Sequence, residues 1–282
     1  MKELKVLSPK QINRWTCHKL ECFSDYLETY TKTLGNSGCC YLELFAGRGS
    51  CSCRGTNCVI DDSALRALKT KFSQCIFAVK DYQDAENLKQ IARPFGTENT
   101  IITGSLISEK VMRQAFDLIP RSSCSFALVN PSGYRMLRWS TIRKLAVHGH
   151  DWRGHRMDML IIMPLEMALL RNLARPECEA SINRLFGNQK WQQVRQKRRG
   201  CKIEPDKARK ELVGLFMAGL KSLGYKHVED FKPAHFTNLP YYHLIWASDR
   251  ASRAKELADA WGNPRYLPCE LLYNAKGENL DE

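Results

Sequence analysis

The sequence predicts an α/β chain: a mainly parallel seven-stranded sheet with helices on both faces and an antiparallel hairpin at its C-terminal end. Three observations carry this. Short continuous apolar runs alternate with segments of helical periodicity, the pattern of strands buried on both faces. The first run ends in a glycine-punctuated turn, Ala46-Gly47-Arg48-Gly49, as a ligand-cradling loop does. Near the C-terminus two strand-like runs have only a loop between them, so they pair antiparallel.

The elements follow in order. Leu20, Phe23, Leu27, Tyr30 and Leu34 recur at spacings of three and four and predict a helix over 17–34, with Gly35 as its stop. Cys39 to Phe45 is the first strand. A Gly/Cys/Ser-rich loop follows, and a helix begins at Ser63-Ala64-Leu65. Cys75–Val79, Thr100–Thr103, Ser125–Val129 and Met159–Met163 read as the next four strands. Helices over Asp84–Ala92, through Met112 and Phe116, and over Trp139–Val147 connect them. Ala208, Leu212, Leu215, Phe216, Leu220 and Leu223 keep helical spacing up to Gly224. Tyr225–Phe231 and Tyr241–Ala247 form the hairpin, and Ala251–Trp261 the closing helix. With no repeat and no linker in view, residues 1–282 read as a single domain carrying a basic helical insertion at about 165–204.

Composition narrows the class. The chain has 282 residues, 44% of them hydrophobic, enough to bury a sizeable core. No apolar run is long enough to span a membrane, and the first residues lack the apolar stretch of a secretory signal, so a cytoplasmic protein without a membrane partner is expected. In a reducing compartment the twelve cysteines are expected as buried thiols rather than disulfides. Cys51-Ser52-Cys53 with Cys58 lacks the paired spacing of a zinc site and reads as a thiol-rich surface loop. His148, His150 and His155 form no familiar ligand spacing, and no metal is expected. The net charge is +13. More than half of that excess lies between Gln189 and Lys210, where Lys190, Arg195, Lys197, Arg198, Arg199 and Lys202 surround Trp191. So local a concentration has two readings: a footprint for nucleic-acid phosphates, or a solvated helix face.

In an open parallel sheet, ligands bind at the carboxyl ends of the strands. The first strand offers Glu43 and the turn Phe45-Ala46-Gly47-Arg48-Gly49. The form Glu-x-x-x-Gly-x-Gly departs from the dinucleotide fingerprint and points to S-adenosylmethionine (SAM). The second strand offers Asp81, whose carboxylate could accept both ribose hydroxyls. The third offers Ser105 for the adenine edge. The fourth ends in Asn130-Pro131-Ser132-Gly133-Tyr134. In amino-directed nucleic-acid methyltransferases a polar-Pro-Pro-aromatic turn stands here; its polar side chain and proline carbonyl accept from an exocyclic amino group, and its ring stacks on a flipped base. Asn130, Pro131 and Tyr134 are therefore the catalytic candidates, although Tyr134 comes one position late. Glu43, Phe45, Ala46, Gly47, Gly49, Asp81, Ser105 and Asn130 are the cofactor candidates. A phosphate-binding Gly-x4-Gly-Lys-Ser/Thr loop is absent.

Most of the chain resembles the three-Cys-motif partner (TcmP) family, bacterial and phage-associated proteins with a methyltransferase-like fold. The likeness runs through Trp15-Thr16-x-x-Lys19-Leu20, Leu44-Phe45-Ala46-Gly47-x-Gly49, Ser63–Leu68, Asn130-Pro131-x-Gly133 with Trp139-x-x-Ile142, and Tyr241–Ser248. It implies a Rossmann-like methyltransferase fold, a SAM pocket and, as partner, a radical-SAM-like protein bearing a three-cysteine motif. The chain differs from the family at Glu43 (usually Asp), Arg48 (often Pro), Asp62-Ser63-Ala64 (usually Gly-Ser-Pro) and Ser132 (usually aromatic). Two functions are compatible with these residues. One is a SAM-dependent methyltransferase acting on nucleic acid. The other is a catalytically inactive adaptor of the same fold that binds nucleic acid or the partner protein.

Overall fold

A computed structural model describes residues 7–34, 38–54, 58–96, 98–104, 108–165, 169–231 and 242–262. In chain order it contains β1 (Lys10–Ile12), α1 (Arg14–Lys32), β2 (Cys39–Ala46), β3 (Ser50–Cys53), β4 (Val59–Asp61), α2 (Ser63–Leu68), β5 (Gln74–Val79) and α3 (Tyr82–Ala92). Then come β6 (Glu98–Thr103), α4 (Glu109–Asp117), β7 (Cys124–Val129), α5 (Trp139–Ala146) and β8 (Asp158–Met163). The last are α6 (Glu179–Phe186), α7 (Trp191–Arg199), α8 (Pro205–Ser222), β9 (His227–Phe231), β10 (His243–Ser248) and α9 (Ser252–Gly262).

Seven strands form one mixed sheet in the order β6-β5-β2-β7-β8-β10-β9. The pairs from β6 to β8 are parallel, whereas β10 is antiparallel to both β8 and β9. Every residue of β7 and β8 is buried. The two-residue alternation of side chains sorts the core by face. Cys40, Leu42, Leu44, Ala127, Val129, Met159 and Ile161 pack with α4, α5, α6, α7 and α8. Cys39, Tyr41, Phe77, Phe126, Leu128, Leu160 and Trp246 pack with α1, α2, α3 and α9. The segment 165–204 shares the first of these cores through Leu165, Leu173, Ile182, Trp191 and Val194. Gly35, the expected stop of α1, lies outside the described residues. Among those residues no helix is long and apolar enough to cross a membrane.

One expectation is corrected. The cysteine-rich stretch after the glycine turn is not a surface thiol loop. It forms β3 and β4, which join β1 in a second, three-stranded sheet. Cys51 and Cys53 are buried there, and Cys53 is disulfide-bonded to Cys17 of α1 across 36 residues of chain. The bond pins the start of α1 over the carboxyl end of the main sheet.

Candidate functional site

A cavity of about 740 Å³ opens at the carboxyl ends of the parallel strands, within the usual range for small-molecule pockets. The end of β2 and the turn after it contribute Phe45, Ala46 and Gly47; the end of β5 and the residues after it Val79, Lys80 and Asp81; the turn after β7 Asn130, Pro131 and Ser132; and the end of β8 and the residue after it Ile162 and Pro164. Lys10 of β1, with Thr16 and Lys19 of α1, adds the N-terminal side. Of the cofactor candidates, the structure thus brings together Phe45, Ala46, Gly47, Asp81 and Asn130. Ser105 lies outside the described residues.

Phe45 has φ +73°, left-handed backbone that a bulky side chain rarely adopts. The β2–β5 register shifts between Leu44 and Ala46 at the same point. Such strain, of the order of 1–3 kcal/mol, persists only where the surroundings enforce it, and it clusters at ligand sites. Here it turns the strand out of the sheet and into the cavity wall. Beyond it, the backbone N–H of Gly49 donates to Asp62 Oδ2 at 2.6 Å. The other Asp62 oxygen caps α2 by accepting from Ala64 and Leu65. A Cβ on Gly47 would come within 2.6 Å of Asp62 Oδ2. The carboxylate therefore requires a glycine at 47 whether or not a ligand does. Gly49 does not line the cavity; it holds φ +101° against Ile91 of α3.

Glu43 is placed differently from its expected role. It is fully buried on the face covered by α1 and α2, away from the cavity wall. Tyr41 Oη donates to it at 2.9 Å and Ser63 Oγ donates to its other oxygen. Burial, with Asp62 nearby, pushes its carboxyl up to about 8. It organises the strand beneath the turn and is not among the residues that line the cavity. Asp81 caps α3 with Oδ1, accepting from Gln83 at 2.9 Å and Asp84 at 3.1 Å. Both bonds use the same carboxylate oxygen.

At the end of β7, Asn130 and Pro131 face the cavity, and Asn130 Oδ1 accepts from Lys19 Nζ at 3.4 Å. Lys19 is the residue that reading the motifs missed as chemistry. Burial lowers its ammonium to about 8, against the pull of Glu43 and Cys51, and Nζ lies 5.5 Å from the centre of the Tyr242 ring. Its signal in the sequence was a lysine set directly beside the apolar stripe of α1.

Tyr134 does not reach the cavity. The 3₁₀ turn over 134–136 rotates it into the core, where it is 2% exposed and its Oη accepts from Ser181 Oγ at 3.3 Å. It therefore cannot supply the stacking ring expected of it. Its neighbour Met136 faces the cavity instead.

None of the six basic candidates lines the cavity. Arg195 pairs with Glu179 and stacks over Trp191, and Lys197 pairs with Glu211. Arg198 and Arg199 donate to the carbonyls of Ile203 and Ala174, and neither pairs with a carboxylate among the described residues. Lys190 and Lys202 are exposed. Trp191 is wholly buried, donating to Asn183 Oδ1, and offers no ring to a base.

No protein-family model matches the chain, and no curated protein matches it in sequence. Among solved structures it is similar to protein LPL1258 from Legionella pneumophila str. Philadelphia 1, described under DUF519. That match has 12% identity and a TM-score of 0.52, over 90% of this chain and 94% of the other. Trm1 from Pyrococcus horikoshii, solved with S-adenosyl-L-methionine, aligns at 12% identity over 90% of this chain and 60% of its own, but its TM-score of 0.45 carries no weight here. Likeness at such identity concerns the fold alone. With the strand order, the antiparallel hairpin and the cavity at the strand ends, it describes a seven-stranded mixed-sheet α/β fold similar to that of LPL1258.

Proposed function

We propose that the cavity binds SAM and that the chain is a SAM-dependent methyltransferase of the three-Cys-motif partner type, acting on an amino group of nucleic acid. The observation that carries this reading is the convergence of Phe45–Gly47, Asp81 and Asn130-Pro131 on one cavity at the carboxyl ends of β2, β5 and β7. The residues present suit the cofactor. The strained turn presents backbone to the wall, Asp81 has a carboxylate oxygen for ribose hydroxyls, and Lys10 supplies a cation for a carboxylate. Bound there, SAM would supply an electrophilic methyl group. Asn130 Oδ1 and the Pro131 carbonyl would accept hydrogen bonds from the target amino group and aim its lone pair. Lys19, with its ammonium lowered toward neutrality, would take up the proton that the methylated nitrogen sheds. Arg198 and Arg199 would hold phosphates.

Calorimetry with SAM and S-adenosylhomocysteine tests this reading. Micromolar binding of both is expected; no heat from either at high micromolar concentration would end it.

The adaptor reading has one observation in its favour. Tyr134 is buried and Asn130 already accepts from Lys19, so the turn stands without a stacking ring and with its acceptor engaged. On that reading, nucleic acid or a radical-SAM-like partner binds the basic insertion and no methyl group moves. Nucleic-acid affinity carried by phosphates falls steeply with salt. Joint replacement Arg198→Glu and Arg199→Glu should abolish it. Retained affinity would exclude the insertion under both readings.

A further inference from the structure

At the opposite end of the sheet, where β2, β7 and β8 begin, a second cavity of about 190 Å³ reaches the surface. Its floor includes Cys124, and its walls include Asp151, Arg250 and Arg253. Cys124 and Cys39 are register partners, the first residues of neighbouring parallel strands. Their sulfurs are 2.8 Å apart and unbonded.

The surroundings separate the roles of the two thiols. Cys124 borders the cavity, whereas Cys39 is fully buried behind it. Arg250 Nη1 lies 3.8 Å from Cys124 Sγ and 3.0 Å from Asp158 Oδ2. Tyr30 Oη is 3.7 Å from Cys124 Sγ and donates to Asp158 Oδ2 at 2.9 Å. Asp151, which pairs with Arg250 and His155, completes the charged groups around the pair, together with Arg253 over the Tyr30 ring. The hydrogen bond from Cys39, helped by Arg250, lowers the Cys124 thiol against the effect of burial; burial raises that of Cys39. Burial instead holds Cys22 and Cys40 up near 12, where thiols are inert. The cavity has room for several water-sized molecules, each needing about 10–15 Å³ by the same measure. It admits a small oxidant.

We propose that Cys124 is a peroxide-reactive thiol and that Cys39 resolves it, so that hydrogen peroxide closes a disulfide between the first residues of β2 and β7. The Cys124 thiolate attacks one peroxide oxygen and the O–O bond breaks. This leaves a sulfenic acid on Cys124 and a hydroxide that takes up a proton to become water. Cys39 sulfur then attacks Cys124 sulfur, the S–O bond breaks, and the departing hydroxide leaves as a second water with the Cys39 proton. Two electrons pass from the sulfur pair to the peroxide. Strand spacing of about 4.8 Å falls within the Cα separations that a disulfide spans. None of this depends on the SAM reading.

The test treats the full chain with hydrogen peroxide, blocks remaining thiols and maps the peptides by mass spectrometry. A Cys39–Cys124 cross-link is expected in the wild type. The Cys39→Ser chain should accumulate a dimedone-trapped sulfenic acid on Cys124, and Cys124→Ser should leave Cys39 reduced. Oxidation confined to the exposed Cys201, or dimedone found on Cys39, overturns the proposal. Should the serine variants not fold, the wild type decides. Iodoacetamide should label Cys124 at least ten-fold faster than Cys40 at neutral pH. Equal rates would refute the assignment.

Discussion

Replacing Gly47 by alanine tests why the turn needs its glycine. The new Cβ would stand 2.6 Å from Asp62 Oδ2. That carboxylate is no flexible tip: it is 5% exposed and held by the N–H groups of Gly49, Ala64 and Leu65. Either the turn shifts or Asp62 lets go. Overpacking costs about 1–3 kcal/mol and a lost N-cap about 0.5–2 kcal/mol, so Gly47→Ala should destabilise by about 2–3 kcal/mol. Asp62→Ala alone loses the cap and orphans the Gly49 N–H, at about 2 kcal/mol. In the double variant the added methyl occupies the space that the carboxylate vacated. The two effects should then fall short of additivity by about 1–2 kcal/mol. Urea unfolding followed by tryptophan fluorescence, at constant m-value, measures each corner of the cycle. Additivity within about 0.5 kcal/mol would refute the reasoning and mean that the glycine is kept for something other than Asp62. SAM binding by the folded double variant then reports on ligand contact at position 47 free of the clash.

Other outcomes follow from the same geometry. Burial raises the Glu43 carboxyl from 4.5 to about 8, so between those values the native state keeps a proton that the unfolded chain releases. Its contribution is complete below pH 4.5 and is lost as the pH rises through 8, by up to about 1.4 kcal/mol per unit. Glu43→Gln keeps a neutral partner for Tyr41 and Ser63 and should flatten the urea midpoint from pH 5 to 8; parallel decline in both chains would exclude Glu43 as the group. Asp81→Asn retains a side-chain oxygen for the α3 cap, so stability should stay within about 0.5 kcal/mol of wild type, while SAM affinity measured by calorimetry falls at least ten-fold. Unchanged affinity would remove Asp81 from the site.

Most strands of the main sheet were legible because they are continuous apolar runs, and the helices between them because their stripes keep a 3.6-residue period. The small sheet was not. β1, β3 and β4 are only three or four residues long, β3 is made wholly of Ser and Cys, and β1 pairs with β3 some forty residues away in the chain. The Cys17–Cys53 bond depends on that same long-range approach. Glu43 was legible as an acid near a strand end, but the face it occupies was not. Alternation puts it with Cys39 and Tyr41 under the helices, and only the bulge at Phe45 redirects the chain toward the cavity. Tyr134 and Trp191 carry suitable rings at suitable places in the sequence. A 3₁₀ turn in one case and a helix facing the core in the other turn those rings inward.

The central claim is that SAM occupies the cavity at the ends of β2, β5 and β7. A crystal structure with S-adenosylhomocysteine tests it most directly. The account predicts the ligand against Phe45–Gly47, its ribose hydroxyls within hydrogen-bond distance of Asp81 and its sulfur facing Asn130. Ligand bound elsewhere, or none at millimolar concentration, would contradict it.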